Sequence, residues 1–334
     1  MTVRVGINGF GRIGRLVVRA IAEQGRKDVE VVAINSPGAI ETQAHLLRYD
    51  SVHGVFGKTV THDAKSITVD GHKIRVTHER NPAAIDWGIL GVDVVMECTG
   101  IFRDKESAGK HMLGGAKKVL ISAPGKKVDN TIVYGVNHDQ LKSTDTVVSC
   151  ASCTTNCLAP IAKVLIESCG IRSGFMTTVH SYTQDQRILD NSHKDLYRAR
   201  AAAQNMIPTS TGAAKAVGIV LPDLSGKLSG SAVRVPTANV SMIDLSIIPE
   251  TNTTITQINA AMRDAAEGPM KGVLRYTEEA LVSSDLNHDP HSAIFAAPLT
   301  NVLHGDLAKV VAWYDNEWGF SNRMIDVACA MMKA

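Results

Sequence analysis

Apolar runs alternate with helix-like spacing over the first 150 residues. Segment 3–8 predicts a strand, and apolar residues then recur at helical spacing from 13 to 21. Further apolar strands are predicted at 29–34, 92–96, 119–122 and 132–136. Near-continuous apolar strands separated by helices are typical of a parallel sheet covered on both faces.

The pattern changes near residue 150. A helix is predicted over 156–166, and polar residues then alternate with apolar ones, as in 233–235 and 240–248. Such alternation is typical of antiparallel strands with one solvated face. We therefore expect an α/β protein, with a doubly wound domain followed by an α+β domain that has a mainly antiparallel sheet.

Composition limits the possible partners. The chain has 334 residues, enough for about two domains, and its formal net charge is +2. A nearly neutral chain offers little attraction to nucleic acid or to an anionic membrane. No apolar stretch predicts a membrane span or a signal peptide, so we expect a cytoplasmic protein with reduced cysteines.

A glycine-rich turn follows the first predicted strand. Gly9, Gly11 and Gly14 form G-x-G-x-x-G between that strand and a helix, the context in which the motif binds a dinucleotide. The glycines allow a tight turn and a close approach of the backbone to a pyrophosphate at the helix N-terminus. The turn therefore predicts a nicotinamide dinucleotide cofactor, bound by a Rossmann domain.

The end of the second strand lacks the expected acid. A carboxylate about 20 residues after the motif commonly binds the ribose hydroxyls, but this chain has Asn35 and Ser36. These side chains can donate hydrogen bonds to a 2′-phosphate that an Asp would repel. We hypothesise that the cofactor is NADP, or NADP and NAD alike; the alternative is an NAD enzyme that has lost one hydrogen bond.

Three cysteines cluster in segment 149–157. A structural zinc site needs a second pair of ligands, which the isolated remaining cysteines do not supply, so no metal is expected. Cys153 precedes a predicted helix, whose N-terminal dipole would stabilise a thiolate. Ser152, Thr154 and Thr155 add donors for an oxyanion or a phosphate. Cys153 is therefore a candidate nucleophile.

Six blocks spread along the chain share one resemblance. They are GFGRIG at 9–14, SCTTNC at 152–157, HSYT at 180–183, RARAAA at 198–203, TGAA at 211–214 and WYDNEW at 313–318. In this order they resemble the phosphorylating glyceraldehyde-3-phosphate dehydrogenase family, over nearly the whole chain. The resemblance implies an oxidoreductase of glycolysis, or of gluconeogenesis or carbon fixation, with the direction left open.

The resemblance implies specific catalytic roles. Cys153 would attack the aldehyde to form a thiohemiacetal, and hydride transfer to the cofactor would leave a thioester. His180 would act as the base, and an imidazolium beside the thiol would lower the thiol pKa. Inorganic phosphate would then release an acyl phosphate.

Binding roles follow from the same resemblance. Two phosphate sites are implied, one at Thr183 and Arg234, the other at Ser152, Thr211, Gly212 and Arg198. Arg12 and Ile13 would contact the pyrophosphate, and Asn316 the nicotinamide carboxamide. Arg80 and Ser122 would lie on the adenine and nicotinamide sides of the cofactor.

Two departures from the family pattern favour NADP. Ser36 stands where NAD-using members usually have Asp, and 191–192 reads Asn-Ser where they usually have Leu-Pro. In the family this segment reaches the cofactor pocket of a neighbouring subunit of a homotetramer, so Ser192 would add a phosphate donor. Phe320 replaces a common Tyr and carries no prediction.

The resemblance also implies boundaries. The dinucleotide-binding domain would span 1–152, the catalytic domain 153–315, and the C-terminal helix of about 316–334 would pack back on the first domain. Three other functions stay open: a strictly NAD-dependent form, erythrose-4-phosphate dehydrogenase, and a non-catalytic nucleotide-binding or moonlighting protein. A non-phosphorylating aldehyde dehydrogenase would share the nucleophile but would not need His180 in this position.

Overall fold

A computed structural model describes residues 2–334, which form two compact units. The first unit holds the described residues up to Ser152 together with Ser321–Ala334, and the second holds Cys153–Phe320.

The first unit contains eleven strands. They are β1 Val3–Asn8, β2 Val29–Asn35, β3 Tyr49–Asp50, β4 Gly54–Val55, β5 Val60–Asp63, β6 Ser66–Val69, β7 His72–Thr77, β8 Val94–Glu97, β9 Lys118–Ile121, β10 Asn130–Thr131 and β11 Val147–Ser149. Helices α1 Arg12–Glu23, α2 Ile40–Arg48 and α3 Lys105–Gly109 connect them.

Nine of these strands form one sheet, in the order β10-β11-β9-β8-β1-β2-β7-β6-β5. Every pairing from β10 to β7 is parallel, and only β6 and β5 at one edge run antiparallel. The central strands β1, β8, β9 and β11 are mostly buried, which explains their apolar sequences. The order reverses direction at β1, and ligands of open α/β sheets bind at such a point, outside the carboxyl ends of the strands.

The second unit is built on an eight-stranded sheet. Its strands are β12 Ser173–Ser181, β13 Ile207–Ser210, β14 Leu228–Val235, β15 Ser241–Ile248, β16 Leu274–Thr277, β17 Ala293–Ala296, β18 Asn301–Leu303 and β19 Leu307–Tyr314. Helices α4 Cys153–Cys169, α5 Ala213–Val220 and α6 Ile255–Glu267 also belong to it. Most pairings are antiparallel; β12 with β14 and β16 with β17 are parallel. The predicted fold class is confirmed.

The last helix, α7 Trp318–Met331, crosses the division, and its residues from Ser321 onward belong to the first unit. There Asp326 forms an ion pair with Arg26, which follows α1, at 2.9 Å. The ion pair ties the C-terminal segment to the first unit.

One predicted strand is wrong. Segment 132–136 is not a strand; only Asn130–Thr131 pairs, and the chain then turns through Gly135 at φ 84°. The Asn137 carboxamide oxygen accepts a hydrogen bond from the Val133 backbone N–H at 2.8 Å. Ile132 and Val133 are fully buried directly before this turn, so burial rather than strand pairing explains the apolar run.

Candidate active site and cofactor site

The glycine loop closes tightly between β1 and α1. Gly9 has φ +95°, and a Cβ there would lie 2.7 Å from the Thr99 backbone nitrogen. A Cβ on Gly14 would lie 2.3 Å from the Gly9 carbonyl oxygen. Both positions therefore require glycine.

The entry to α1 fits a pyrophosphate. Gly11 is the N-cap, supplies no side-chain cap, and has open space where a Cβ would be, so backbone can approach a ligand closely. The Arg12 guanidinium instead forms a two-point ion pair with Asp50, at 2.5 and 3.1 Å. The pyrophosphate contact of Arg12 stays a prediction, with its guanidinium engaged by Asp50. Ile13 follows, half-buried.

A buried chain of polar side chains crosses the carboxyl ends of the parallel strands. Asn35 Nδ2 donates to Asn8 Oδ1 at 2.8 Å, and Asn8 Nδ2 donates to Glu97 at 2.6 Å. His111 Nε2 lies 3.0 Å from the same Glu97 oxygen, and Trp87 Nε1 donates to His111 Nδ1 at 3.0 Å. Because the indole can only donate, the ring proton of His111 lies on Nε2. These hydrogen bonds hold the strand ends together at this edge of the sheet.

Asn35 is fully engaged in this chain. Its second donor bond goes to the Glu79 carbonyl, and its oxygen accepts from Thr77 Oγ1 and from the Glu79 N–H. The expectation that the Asn35 amide donates to a 2′-phosphate is therefore corrected. Ser36 differs: its hydroxyl accepts from Gln43 Nε2 at 3.1 Å and keeps its own proton for an incoming acceptor.

Two further candidates of the first unit lie after neighbouring strands. Arg80 is exposed, three residues beyond β7. Ser122 is half-buried directly after β9, and its backbone N–H donates to the Glu97 carbonyl at 3.0 Å. Both therefore lie near the carboxyl edge of the parallel sheet.

Cys153 and His180 meet in the second unit. Cys153 is the first residue of α4, and His180 lies near the end of β12, with 3.6 Å between Sγ and Nε2. His180 Nδ1 is 2.6 Å from the Ser181 carbonyl oxygen, which can only accept, and 2.8 Å from Arg234 Nη1, which can only donate, while Nε2 faces the thiol. Ala151, with φ 56°, turns the chain into the helix.

The charge state of this pair differs from the sequence expectation. Burial raises the pKa of the Cys153 thiol, although the positive charge of Arg234 opposes the effect. Burial and then the charge of Arg234 lower the pKa of His180 to about 3. Arg234 Nη1 is 2.8 Å from His180 Nδ1, so its charge disfavours an imidazolium. These shifts favour a neutral thiol and a neutral imidazole, whereas the charge of Arg234 and the hydrogen bonds from Thr154 favour a thiolate.

Thr154 lies deeper than expected. Its hydroxyl is buried and hydrogen-bonds Tyr314 Oη at 2.8 Å, while Thr178 Oγ1 binds the same oxygen at 2.9 Å. The Thr154 hydroxyl is therefore not open to a phosphate, which corrects that expectation. Burial and the nearby sulfur of Cys153 raise the pKa of Tyr314 well above its usual range. Sequence analysis assigned no role to Tyr314, although it lies in the 313–318 block.

The phosphate candidates other than Ser152 are spread over the second unit, and Ser152 is the last residue of the segment that begins the first unit. Arg198 donates to Asp185 at 2.5 Å and to Thr209 at 3.0 Å, with its side chain 20% exposed. Gly212 is the exposed N-cap of α5, and Thr211 Oγ1 before it accepts from the Ala213 N–H. Thr183, two residues past β12, and Ser152, directly before Cys153, are both half-buried.

The last two cofactor candidates also lie in the second unit. Asn316 is buried two residues after β19, and its oxygen accepts from Ser241 Oγ at 2.8 Å. Ser192 is exposed in a loop, where its carbonyl accepts from the Arg187 guanidinium. Residues 2–334 contain no group of three or more His, Cys, Asp or Glu placed to hold a metal. Among the described helices, none has the length and apolar character to cross a membrane.

The glycine-rich turn between β1 and α1 fits a dinucleotide, and Cys153 and His180 lie side by side as a nucleophile and a base. Together these features define the class: an NAD(P)-dependent oxidoreductase that acts on an aldehyde group. Family models support this class: "Glyceraldehyde 3-phosphate dehydrogenase, NAD binding domain" matches residues 3–105, and the C-terminal domain of the same name matches 152–316. The chain belongs to the glyceraldehyde 3-phosphate dehydrogenase family.

Curated relatives agree along the full length. A glyceraldehyde-3-phosphate dehydrogenase of Cereibacter sphaeroides is 61% identical over 99% of both chains. The chromosomal enzyme of that name from Cupriavidus necator is 59% identical over 100% of both. A further one, from Xanthobacter flavus, is 57% identical over 100% of this chain and 99% of its own.

Proposed function

We propose that the protein oxidises D-glyceraldehyde 3-phosphate, with inorganic phosphate and NADP or NAD, to 1,3-bisphosphoglycerate. One observation carries the proposal: the Cys153 sulfur lies 3.6 Å from His180 Nε2, with Arg234 beside the same ring. The first unit would be the dinucleotide-binding domain, and the second the catalytic domain.

Cys153 and His180 divide the chemistry. Sγ attacks the aldehyde carbon as its proton passes to His180 Nε2, which protonates the developing oxyanion and gives a thiohemiacetal. Nε2 then accepts the hydroxyl proton as hydride leaves the same carbon, and a thioester results. The bound nicotinamide supplies the hydride acceptor. An oxygen of the phosphate attacks the thioester carbon and the C–S bond breaks beside Arg234. The departing Cys153 sulfur takes back the proton from His180 Nε2, and the proton of the attacking phosphate is released to solvent.

Two anion sites complete the proposal. The C3 phosphate and the attacking phosphate would bind at Arg234 with Thr183, and at Arg198 with Thr211, Gly212 and Ser152. Guanidinium groups and hydroxyls suit phosphate oxygens. Arg234 supports this role because its Nε is buried with no partner among the described residues, and a buried donor of this kind is costly unless a ligand pairs it.

Parallel assays test the reaction. The purified protein is given glyceraldehyde 3-phosphate or erythrose 4-phosphate, with and without inorganic phosphate. We expect the triose phosphate to be oxidised at least about tenfold more efficiently, a margin of about 1.4 kcal/mol, and turnover to require phosphate. Preference for erythrose 4-phosphate would favour that relative's activity, and phosphate-independent turnover would favour a non-phosphorylating enzyme.

We propose NADP as the preferred cofactor, supported by the missing carboxylate at Ser36 and by the Ser36 proton left to donate. Ser36→Asp should lower kcat/KM for NADP relative to NAD by about 10- to 100-fold, because a carboxylate repels the 2′-phosphate and accepts from ribose hydroxyls. Steady-state rates with both cofactors measure the ratio. Ser192→Ala should weaken NADP alone. A wild-type preference for NAD of about a hundredfold or more would contradict the proposal.

We further propose a cytoplasmic homotetramer that uses no nucleic acid or membrane partner. The loop containing Ser192 exposes large apolar side chains, including Ile188 at 88%, Leu189 at 71% and Leu196 at 82%. Clustered apolar exposure of this kind marks an interaction surface. A second copy of the chain would cover it and bring Ser192 to the neighbouring cofactor.

A further inference from the structure

A line of hydrogen bonds connects three buried residues at the ends of adjacent strands. The Ser181 backbone N–H donates to Ser241 Oγ at 3.0 Å, and Ser241 Oγ lies 2.8 Å from Asn316 Oδ1. Ser181 ends β12, Ser241 begins β15, and Asn316 follows β19. All three are at least 93% buried.

The Ser181 N–H determines which group donates in each of these hydrogen bonds. A backbone N–H can only donate, so Ser241 Oγ accepts from Ser181, and among the described residues Asn316 Oδ1 is the one acceptor that its own proton reaches. That proton requires an acceptor, which the Asn316 oxygen supplies. The two amide ends of an Asn are otherwise hard to tell apart; here the line orients Oδ1 toward Ser241 and leaves Nδ2 to donate elsewhere.

The same peptide group also fixes the catalytic base. The Ser181 carbonyl oxygen lies 2.6 Å from His180 Nδ1 and accepts from Arg234 Nη1 at 3.0 Å. The Ser181 hydroxyl donates to the Val240 carbonyl at 3.0 Å, which holds β12 against the residue before β15. Hydrogen bonds therefore hold the end of β12 on both sides, and Ser241 has little freedom to change its hydrogen-bond partners.

We propose that Ser241 is a positioning residue that sets the hydrogen-bonding direction of Asn316, and through it the face of the nicotinamide that receives hydride. The inference rests on the proposed function, in which Asn316 contacts the carboxamide. An Asn316 fixed as a donor holds that carboxamide by its oxygen. Rotating the ring by half a turn about its ribose bond exposes the other face and moves the carboxamide away, so this contact selects one face.

Deuterium labelling tests the proposal directly. Wild type and Ser241→Ala are assayed with oxidised cofactor labelled at C4, and the configuration at C4 of the reduced cofactor is determined. We expect transfer to a single face in wild type. In Ser241→Ala we expect label on both faces, together with a hydride-transfer rate about tenfold lower, the effect of losing one buried hydrogen bond. The KM for the aldehyde should not change.

Two further variants separate positioning from stability. Ser241→Ala leaves the Ser181 N–H unpaired and will unfold at a lower temperature, whereas Ser241→Thr keeps the hydroxyl and should restore single-face transfer. Ser246→Ala, on the same strand and away from this line, is the control and should behave as wild type.

Asn316→Asp tests the direction of the bond without removing Ser241. One carboxylate oxygen can still accept from Ser241, but the other cannot donate, so the cofactor KM should rise about tenfold or more. Unchanged cofactor KM in Asn316→Asp, or single-face transfer at the wild-type rate in Ser241→Ala, would overturn the inference. Failure of wild type to oxidise the triose phosphate would instead overturn the proposed function.

Discussion

Replacing Cys153 with serine will lower triose phosphate oxidation by at least about 10⁴-fold, because a hydroxyl is a far weaker nucleophile than a thiol and His180 is a poor base for it. Binding of the nicotinamide dinucleotide should stay within about twofold, since the glycine loop and the polar chain around Asn35 lie in the first unit. Rapid-reaction kinetics measure the first quantity, and titration of the cofactor by fluorescence measures the second.

Cys157→Ser is the matched control. Cys157 lies one helical turn after Cys153, is fully buried, and has its sulfur 3.9 Å from the Trp313 carbonyl. The Cys157 sulfur faces the backbone carbonyls of Ala312 and Trp313, so this variant should keep its turnover while losing some stability. Cys153→Ser with more than about one percent of wild-type activity would contradict the nucleophile assignment.

Changing His180 to asparagine should lower kcat by about 10²- to 10⁴-fold, the usual contribution of a general base. Both steps that move a proton at Nε2 would then lack an acceptor. Alkylation of Cys153 by iodoacetamide should also slow at neutral pH, since the thiol loses its proton acceptor. If kcat falls less than about tenfold, another group must remove the proton.

The same variant has a distinctive effect on acid stability. The pKa of His180 is lowered to about 3 in the folded protein, so between pH 6.5 and 3 the unfolded chain binds a proton there that the native state does not. Stability is therefore lost as pH falls through this window, by up to about 1.4 kcal/mol per pH unit from this residue.

Equilibrium unfolding in urea between pH 7 and pH 4 measures this effect. His180→Asn should show a shallower loss of stability than wild type, because asparagine binds no proton. Equal slopes for the two proteins would contradict the burial of a neutral His180.

Local sequence patterns predicted the fold class and the position of the glycine-rich turn. The uniformly apolar strands required burial on both faces, and the glycine spacing between β1 and α1 indicated the cofactor turn before any geometry was known. Segment 132–136 shows the limit of this approach. Its apolar residues are buried as expected, but Gly135 and the Asn137 side chain fold them into a turn that no periodicity indicates.

The site depended on contacts distant in sequence. Thr154 and Tyr314 are 160 residues apart, and only the fold shows that their hydroxyls meet. Local sequence patterns also could not predict the charge states of Cys153 and His180. A thiol beside an imidazole suggests an ion pair, yet burial and Arg234 favour the neutral form. No sequence motif marks Ser241, because the positioning role proposed for it depends on the ends of three strands that lie side by side in the fold.

The buried polar chain at the sheet edge limits how cofactor preference can be redesigned. Exchanging Asn35 for an apolar residue would remove a hydrogen-bond partner from Asn8, from Thr77 and from both the N–H and the carbonyl of Glu79. Each of these groups that stays buried without a partner would lower the free energy of unfolding by about 1–3 kcal/mol. The Ser36 hydroxyl bonds Gln43 alone among the described residues, so replacing this side chain orphans fewer groups. Natural drift and laboratory selection alike should therefore alter the ribose preference at position 36 and leave its neighbour untouched.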